Sequence, residues 1–350
     1  MVLELLTSPW PLGWSVAVFL VAAAITVLGS VRMTGIGDTL ADRTGWGEAL
    51  FGAVFFGLAT SLSGIVMTGV SAAGGQAGLA YSNAIGGIAA QTLAIAVADF
   101  AHRRSNLEHA AASLSNLSFG TLLIGLLSMA LLAAFSPDYT FWAVHPASLV
   151  LVAFYLGGLK LIQEQGEKPM WRAVRTRETL PDEPDESGEQ DRFAGVSSAK
   201  LWGQFIVVGG VVAVGGAVIA HAAESLVLAT GLSAGIVGAV FMGVVNALPE
   251  TVTAIAAVRR GAPTLAIAAV IGGNCLDVLN LVVGDIAYRG GSLYHAADQD
   301  QLFLTAAALL MTAVLLGGLL LRQVRGWWRL GFEGVLIIGV YIATVVTLAF

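Results

Sequence analysis

The sequence predicts an all-α integral membrane protein, with ten transmembrane helices arranged as two inverted five-helix repeats. Three observations predict it. Of 350 residues, 57% are hydrophobic and 11% charged, with a mean hydropathy of +0.81. Soluble domains carry about 25% charge, so this chain has too few polar groups to cover a water-facing surface. Apolar runs of about 20 residues recur along its length, each long enough to cross a hydrocarbon core. Finally, two segments in opposite halves of the chain align with each other without gaps.

The apolar runs fall at 13–33, 48–72, 79–100, 115–135, 141–162, 201–229, 234–258, 263–287, 300–321 and 329–349. The stretch before the first, MVLELLTSPWPLGW, has no Lys or Arg. It lacks the basic start of a secretory signal, so the first run reads as a retained span. Charge tests the count. With both termini outside, the inner connections hold Arg32, Arg43, Arg103, Arg104, the 160–200 segment, Arg259, Arg260, Arg322, Arg325 and Arg329. That is 16 of the 17 basic residues, leaving Arg289 outside. Such a split follows the positive-inside rule, and an added or missing span would scramble it. Trp10, Trp14, Trp142, Trp202, Trp327 and Trp328 stand near predicted ends, where aromatic belts form. The small central loop points to a bacterial inner (plasma) membrane.

Residues 164–200 divide the chain into 1–163 and 201–350. Between Glu178 and Asp191 lie seven acids and no base. This acidic, Pro-containing segment is expected to be a disordered cytoplasmic linker. It lacks the D-x-D-x-D-G spacing of a compact calcium loop. Outside it, 17 basic residues face 16 acidic ones, and nothing points to a nucleic-acid partner. The single cysteine, Cys275, reads as a small packing residue, and no Cys/His zinc pattern exists.

The aligned segments run from Gly57 to Asp99 and from Gly243 to Asp285, with 12 of 43 positions identical. Shared positions include Leu62/Leu248, Gly86-Gly87/Gly272-Gly273 and Asp99/Asp285. The copies are five spans apart, so the second is inverted in the membrane. Inverted repeats of transporters place the substrate site near the midplane where the copies meet. Each copy is expected to be interrupted at small or breaking residues: Ser63-Gly64 against Pro249-Glu250, and the two glycine pairs.

Glu250 and Asp277 lie mid-span. A carboxylate there costs about 2.5–3.5 kcal/mol or more, which marks a functional site. Helical spacing puts Asn246 and Thr253 on the face of Glu250, and Asn274 on that of Asp277. The first copy offers Thr60, Ser61, Asn83 and Gln91, uncharged oxygen donors suited to hard cations. Interhelical hydrogen bonding competes as a reading for Thr60, Ser61 and Thr253. Two carboxylates can be neutralised by one divalent ion, two monovalent ions or two protons, so one site can exchange these by competition. His221 and Glu224, three apart in the sixth span, read as a packed pair with a proton relay as the alternative. Asp99 and Asp285 read as structural acids near helix ends. No resident cofactor is expected; the partners are inorganic cations and the lipid bilayer.

The second copy resembles the second alpha-repeat of the sodium/calcium exchanger superfamily. Its ALPETVTAI is similar to that family's T-S-L-P-E signature, and GGNCLD to its G-S-N-x-F-[ND]. The match implies that Glu250 is the ion-binding glutamate and Asp277 the second acidic or amide ligand. Asn246 and Ala247 fall on the Thr-Ser pair before the glutamate. The resemblance implies alternating access, with the first and sixth helices sliding over a core. The first copy keeps Thr60, Ser61 and Leu62 but has Ser63-Gly64 where the family has Pro-Glu. Gln91 replaces an Asn, and Ile88 stands at the Asn of G-S-N. One half-site has lost its charge, which favours weaker calcium binding. The expected function is antiport of calcium or another cation against sodium or protons. The alternatives are a monovalent cation/proton antiporter, a channel or non-transporting relative, and an intramembrane serine hydrolase using Ser61 or Ser63 with His221.

Overall fold

The structure, a computed structural model, describes all residues except 1–7, 45–60, 102–104, 112, 168–170, 172–173, 175, 177–178, 180–192, 194, 260, 325 and 327–329. The described residues form helices, with one isolated bridge between Phe141 and Val144. Nine apolar stretches are long enough to cross a membrane. A tenth, α2 (Leu62–Ala73), is shorter, and residues 45–60 before it lie outside the described residues. The acidic run from Glu178 to Asp191 also lies outside them, apart from Thr179.

The first half comprises α1 (Leu12–Thr44), α2, α3 (Ala77–Ala101), α4 (Leu114–Ala134) and α5 (Pro146–Glu167). The second comprises α6 (Ser198–Thr230), α7 (Gly243–Arg259), α8 (Pro263–Asp277), α9 (Asn280–Ala287), α10 (Gln299–Leu321) and α11 (Phe332–Ala349). A π-helical turn, Val237–Met242, leads into α7. Helices α8 and α9 together make one span, broken at Val278-Leu279.

The sequence-based boundaries need four corrections. Helix α1 continues to Thr44, so Arg32 sits on the helix itself and bonds Gln204 of α6. Residue 32 is 20 residues from the helix start, about 30 Å at 1.5 Å per residue, so the arginine still reaches an interface. The fifth span starts at Pro146 rather than 141 and runs to Glu167, past the predicted boundary at 163. The glycine pairs do not interrupt helices: Gly86-Gly87 lie inside α3 and Gly272-Gly273 inside α8. A helix held by neighbours on several sides tolerates glycine. At Gly86-Gly87 the missing side chains serve close packing, whereas a Cβ on Gly272 would meet nothing within 4 Å. Pro249 likewise stays inside α7. Its ring removes the bond to the carbonyl four residues back, but the break in backbone geometry falls one turn earlier, in the π-helix.

Burial distinguishes the centre of the bundle from its periphery. In the most apolar 18 residues of α3, 83% are buried, against 28% for α1 and for α6. Helix α3 is the core. Helices α1 and α6 pack antiparallel on each other, with Thr26 against Gly215, Gly29 against Val212 and Met33 against Gly209. Their outward faces leave Leu20, Leu28, Ile206 and Val207 more than 60% exposed. An aqueous surface would not carry such a patch, whereas lipid chains cover it. A groove of about 780 Å³ between Trp14, Ile25, Val207 and Val218 follows the same face.

The repeat is visible in hydrogen bonds. The copies are offset by 186 residues (243 minus 57). Gly75 and Gly261, one offset apart, both turn with positive φ, 81° and 86°. Gln76 N–H donates to Ser71 O and Ala262 N–H to Ala257 O, again one offset apart. Asp99 accepts the N–H groups of Leu107 at 2.7 Å and Gly331 at 3.3 Å. Asp285 accepts those of Leu293 at 2.9 Å and His145 at 2.7 Å, each one offset from its counterpart. Each acid thus ties two chain crossings at its own face of the bundle, a structural role. Ser148 also donates to Asp285 and meets Tyr294.

The Asp99 clamp carries two further acids that its twin lacks. Glu108 and Glu333 are fully buried beside it, and Glu333 fills space that side chains at Gly318 and Gly331 would occupy. Burial first, then the carboxylates of Asp99 and Glu333, push Glu108 well above its ordinary 4.5. A raised folded pKa means the fold prefers the protonated acid, so stability falls as pH climbs above about 4.5.

Two predictions follow from the clamps. Asp285→Ala strands the Leu293 and His145 N–H groups and the Ser148 hydroxyl in the interior. It should destabilise the protein by about 3 kcal/mol, read as a lower melting temperature. Glu108→Gln should melt with the parent at pH 4 and above it at pH 8; the same gap at both values would refute the assignment.

Candidate functional site

The site forms where α3, α7 and the α8–α9 break meet. Gly86 lies against the backbone of Ala239 in the π-turn and against Gly243, so closely that a Cβ on either glycine would overlap the other chain. Gly238 packs equally tightly on Ser82 and Leu79 of α3. π-bulges often mark functional sites. This one lets α7 approach α3 with backbone against backbone, which brings Asn246 and Glu250 to the α3 surface.

The predicted residues converge. Asn83, Gln91, Asn246, Glu250, Asn274 and Asp277 are all buried. Gln91, Asn246, Glu250, Asn274 and Asp277 each stand at least nine residues from either end of their apolar stretch (Phe100 minus Gln91 and Arg259 minus Glu250 are both nine). That is more than about 13 Å from the helix ends. Gln91 Nε2 donates to Asp277 Oδ2 at 2.7 Å. Since 91 plus 186 is 277, this bond joins equivalent positions of the two repeats. Ser61 stands beside the same carboxyl. The space beside Gly273 is bordered by Gln91 Oε1 at 3.7 Å and Glu250 Cγ at 4.0 Å, so Glu250 and Gln91 share one wall of the site. Thr253 does not join this group in the same way: it is half-buried and donates its hydroxyl to the Glu250 backbone carbonyl. Thr60 lies outside the described residues.

The amides face one way. Asn83 Nδ2 donates to Gly64 O and Thr68 Oγ1. Asn274 Nδ2 donates to Thr92 Oγ1, whose own proton goes to Ile88 O. These partners accept, so they fix which end of each amide is nitrogen. Among the described residues, the carbonyl oxygens of Asn83, Gln91 and Asn274 receive no protein hydrogen bond, nor does either polar atom of Asn246. A buried polar atom without a partner costs about 1–3 kcal/mol. Amide nitrogens fastened to protein and amide oxygens left bare are what a cation needs: oxygen dipoles aimed inward with no proton in the way.

Two participants escaped the sequence reading. Asn280 donates to Asp277 Oδ1 at 3.2 Å, so both oxygens of the acid accept an amide proton. Its position three residues after Asp277 was the available signal. Thr92, next to Gln91, anchors Asn274.

Gly64 is explained by its neighbour. A Cβ there would collide with the Asn246 amide, and one at Gly87 would stand 2.6 Å from Asn246 Nδ2. Asn246 therefore fills the hollow between two glycines, and the space a residue-64 side chain would enter is taken. Among the described residues no group of three or more His, Cys, Asp or Glu side chains is arranged to hold a metal. The donor set is two carboxylates with neutral oxygens around them.

The family model of the sodium/calcium exchanger protein matches residues 14–161 and 200–350. The chain belongs to that family. No curated protein matches the exchanger in sequence. Three solved structures share its fold. The structure of native YfkE is 15% identical, covers 99% of this chain and 95% of that one, with a TM-score of 0.66. The H+/Ca2+ exchanger CAX is 13% identical over 96% and 85%, with a TM-score of 0.69. The sodium-calcium exchanger NCX_Mj, soaked with Na+ and Sr2+, is 18% identical over 96% and 99%, with a TM-score of 0.58. The ten-span exchanger architecture with two repeats is thereby established for this multi-pass membrane protein.

Restoring an acid at position 64 tests the packing. Gly64→Glu alone should lower stability by about 1–3 kcal/mol through overpacking. Adding Asn246→Ala to the same chain should recover most of the loss. Thermal melts of the single and double variants decide this, and equal melting of Gly64→Glu and the parent would contradict the contact.

Proposed function

We propose that this exchanger is a secondary active cation antiporter that works by alternating access at the Glu250–Asp277 site. It carries calcium or another cation against sodium or protons. The observation that carries the reading is a pair of buried mid-span carboxylates accompanied by amide oxygens of Gln91 and Asn274 that accept no hydrogen bond among the described residues. Transport by the named relatives CAX and NCX_Mj supports it by analogy of fold.

The chemistry is competition. Glu250 and Asp277 cannot cross an apolar bundle as bare charges at acceptable cost. Either a cation or protons must compensate them before α1 and α6 move. Asp277 accepts protons from Gln91 and Asn280, which offset part of its charge. With glycine at 64 the site holds one carboxylate fewer than the family pattern, which lowers its demand for divalent charge. This supports the second reading, a monovalent cation exchanged against protons. His221 bonds Ser8 and faces Glu224 rather than Ser61 or Ser63, which speaks against the hydrolase reading. The bias of basic residues puts the central loop in the cytoplasm and both termini outside.

Proteoliposomes containing the purified protein test this. Calcium uptake driven by internal sodium or by an acid interior, and abolished in Glu250→Gln, is the expected result for a calcium antiporter. Uptake of sodium or potassium against protons, with calcium excluded, would select the monovalent reading. Folded protein that moves no cation under any gradient would refute both.

A further inference from the structure

Near the N-terminal end of the bundle three segments converge on Glu224. Gln76, in the turn between α2 and α3, donates Nε2 to Glu224 Oε1 at 2.9 Å. His221 Nδ1 stands 3.7 Å from Glu224 Oε2. His221 Nε2 meets Ser8 O at 3.3 Å, and the Trp10 ring lies edge-on to the imidazole at 4.6 Å. Trp10 N–H donates to Ser225 Oγ. The contacts of His221 and Ser225 stay within the α1/α6 body and its N-terminal lead. The contact of Glu224 with Gln76 crosses to the body that carries the site.

Elsewhere α6 turns glycines toward α2. A Cβ on Gly216 would stand 3.1 Å from Ser63 O and 3.3 Å from Val66 Cβ, and one on Gly209 would stand 3.7 Å from Leu62 Cδ2. Glycine against backbone and methyl groups lets two helices approach closely without prescribing one register. A directional hydrogen bond at one end then decides which register is preferred. Glu224 is eight residues beyond Gly216 (224 minus 216), about 12 Å toward the N-terminal face. Gly216 marks the level of Ser63 and Gly64, so the contact sits roughly two helical turns outward of the site.

We propose that the Gln76–Glu224 hydrogen bond is an outer latch, which holds α6 against the α2–α3 turn and must break before the site opens to the outside. The proposal rests on the antiporter reading and on its orientation. His221 is a positioning residue: it holds the second oxygen of Glu224 while Ser8 and Trp10 hold the ring. A latch made on one face only biases the two access states, because it stabilises one of them and not the other.

The test uses the full chain with nitroxide labels at Ala73→Cys and Leu228→Cys, both exposed positions flanking the latch. Cys275 is fully buried. Pulsed electron resonance reads the distance distribution. In the parent a short distance should dominate. Gln76→Ala and Glu224→Ala should each raise the longer-distance population about five-fold, the order of a typical net hydrogen-bond contribution. The double variant should do no more than either single one, since both remove the same bond. His221→Ala should shift the distribution in the same direction. Glu224→Gln, which preserves shape, guards against misfolding and should give an intermediate shift. Distributions of Glu224→Ala and Glu224→Gln that superimpose on the parent's would overturn the latch. In proteoliposomes, Glu224→Ala should lower the KM for the external cation about five-fold with a smaller change in kcat, and an unchanged KM would overturn it. If the parent itself transports nothing, the antiporter reading fails, while the distance measurement still decides whether the latch exists.

Discussion

The centre of this protein depends on how closely α3 approaches the π-turn and α7. Gly86, Gly238 and Gly243 leave no room for a side chain between the two backbones. That contact carries Asn246 and Glu250 to α3, and it sets Gln91 against Asp277 from the opposite repeat. In lipid, apolar surface gives helices little reason to associate with each other rather than with acyl chains. Close backbone packing and buried polar bonds supply the reason here. The same two features that hold the bundle together therefore also build its site.

The symmetry of the repeats is kept where it is structural and broken where it is chemical. The turns at Gly75 and Gly261 and the clamps of Asp99 and Asp285 repeat bond for bond. At the site, Glu250 has glycine as its counterpart and Asp277 has glutamine. The second repeat supplies the charge, both repeats supply amides, and the first leaves space at Gly64. A charged residue facing its own symmetry mate would place like charges together in a medium of low dielectric. The Gln91–Asp277 pair avoids this and turns the equivalent position into a donor. The clamp at Asp99 shows the opposite choice, since Glu108 and Glu333 crowd one acid with two more.

Burial and exposure divide the helices. Helices α1 and α6 face lipid over much of their surface and meet the rest of the bundle through small residues, whereas α3 is buried nearly throughout. In the proposed cycle, α3 and its partners would hold the cation while α1 and α6 move, with Ser63-Gly64 at the boundary between them.

The sequence by itself determined the membrane class, the span count, the inverted repeat and the two central acids. Hydropathy, charge bias and a carboxylate's cost in lipid act locally, so they are legible residue by residue. Asn83, Gln91, Asn246 and Asn274 were legible as polar residues in apolar runs, but not which end of the Asn83, Gln91 and Asn274 amides is held by protein. That depended on acceptors from distant segments, such as Gly64 O and Thr92. The glycine pairs looked like helix breaks because local propensity treats glycine as a breaker. Only tertiary structure showed both pairs inside continuous helices and Gly86-Gly87 as a point of contact, because a helix packed on several sides is held by its neighbours and not by propensity alone. The meaning of Gly64 was likewise decided in three dimensions: Asn246, 182 residues away (246 minus 64), occupies the volume that a side chain there would need.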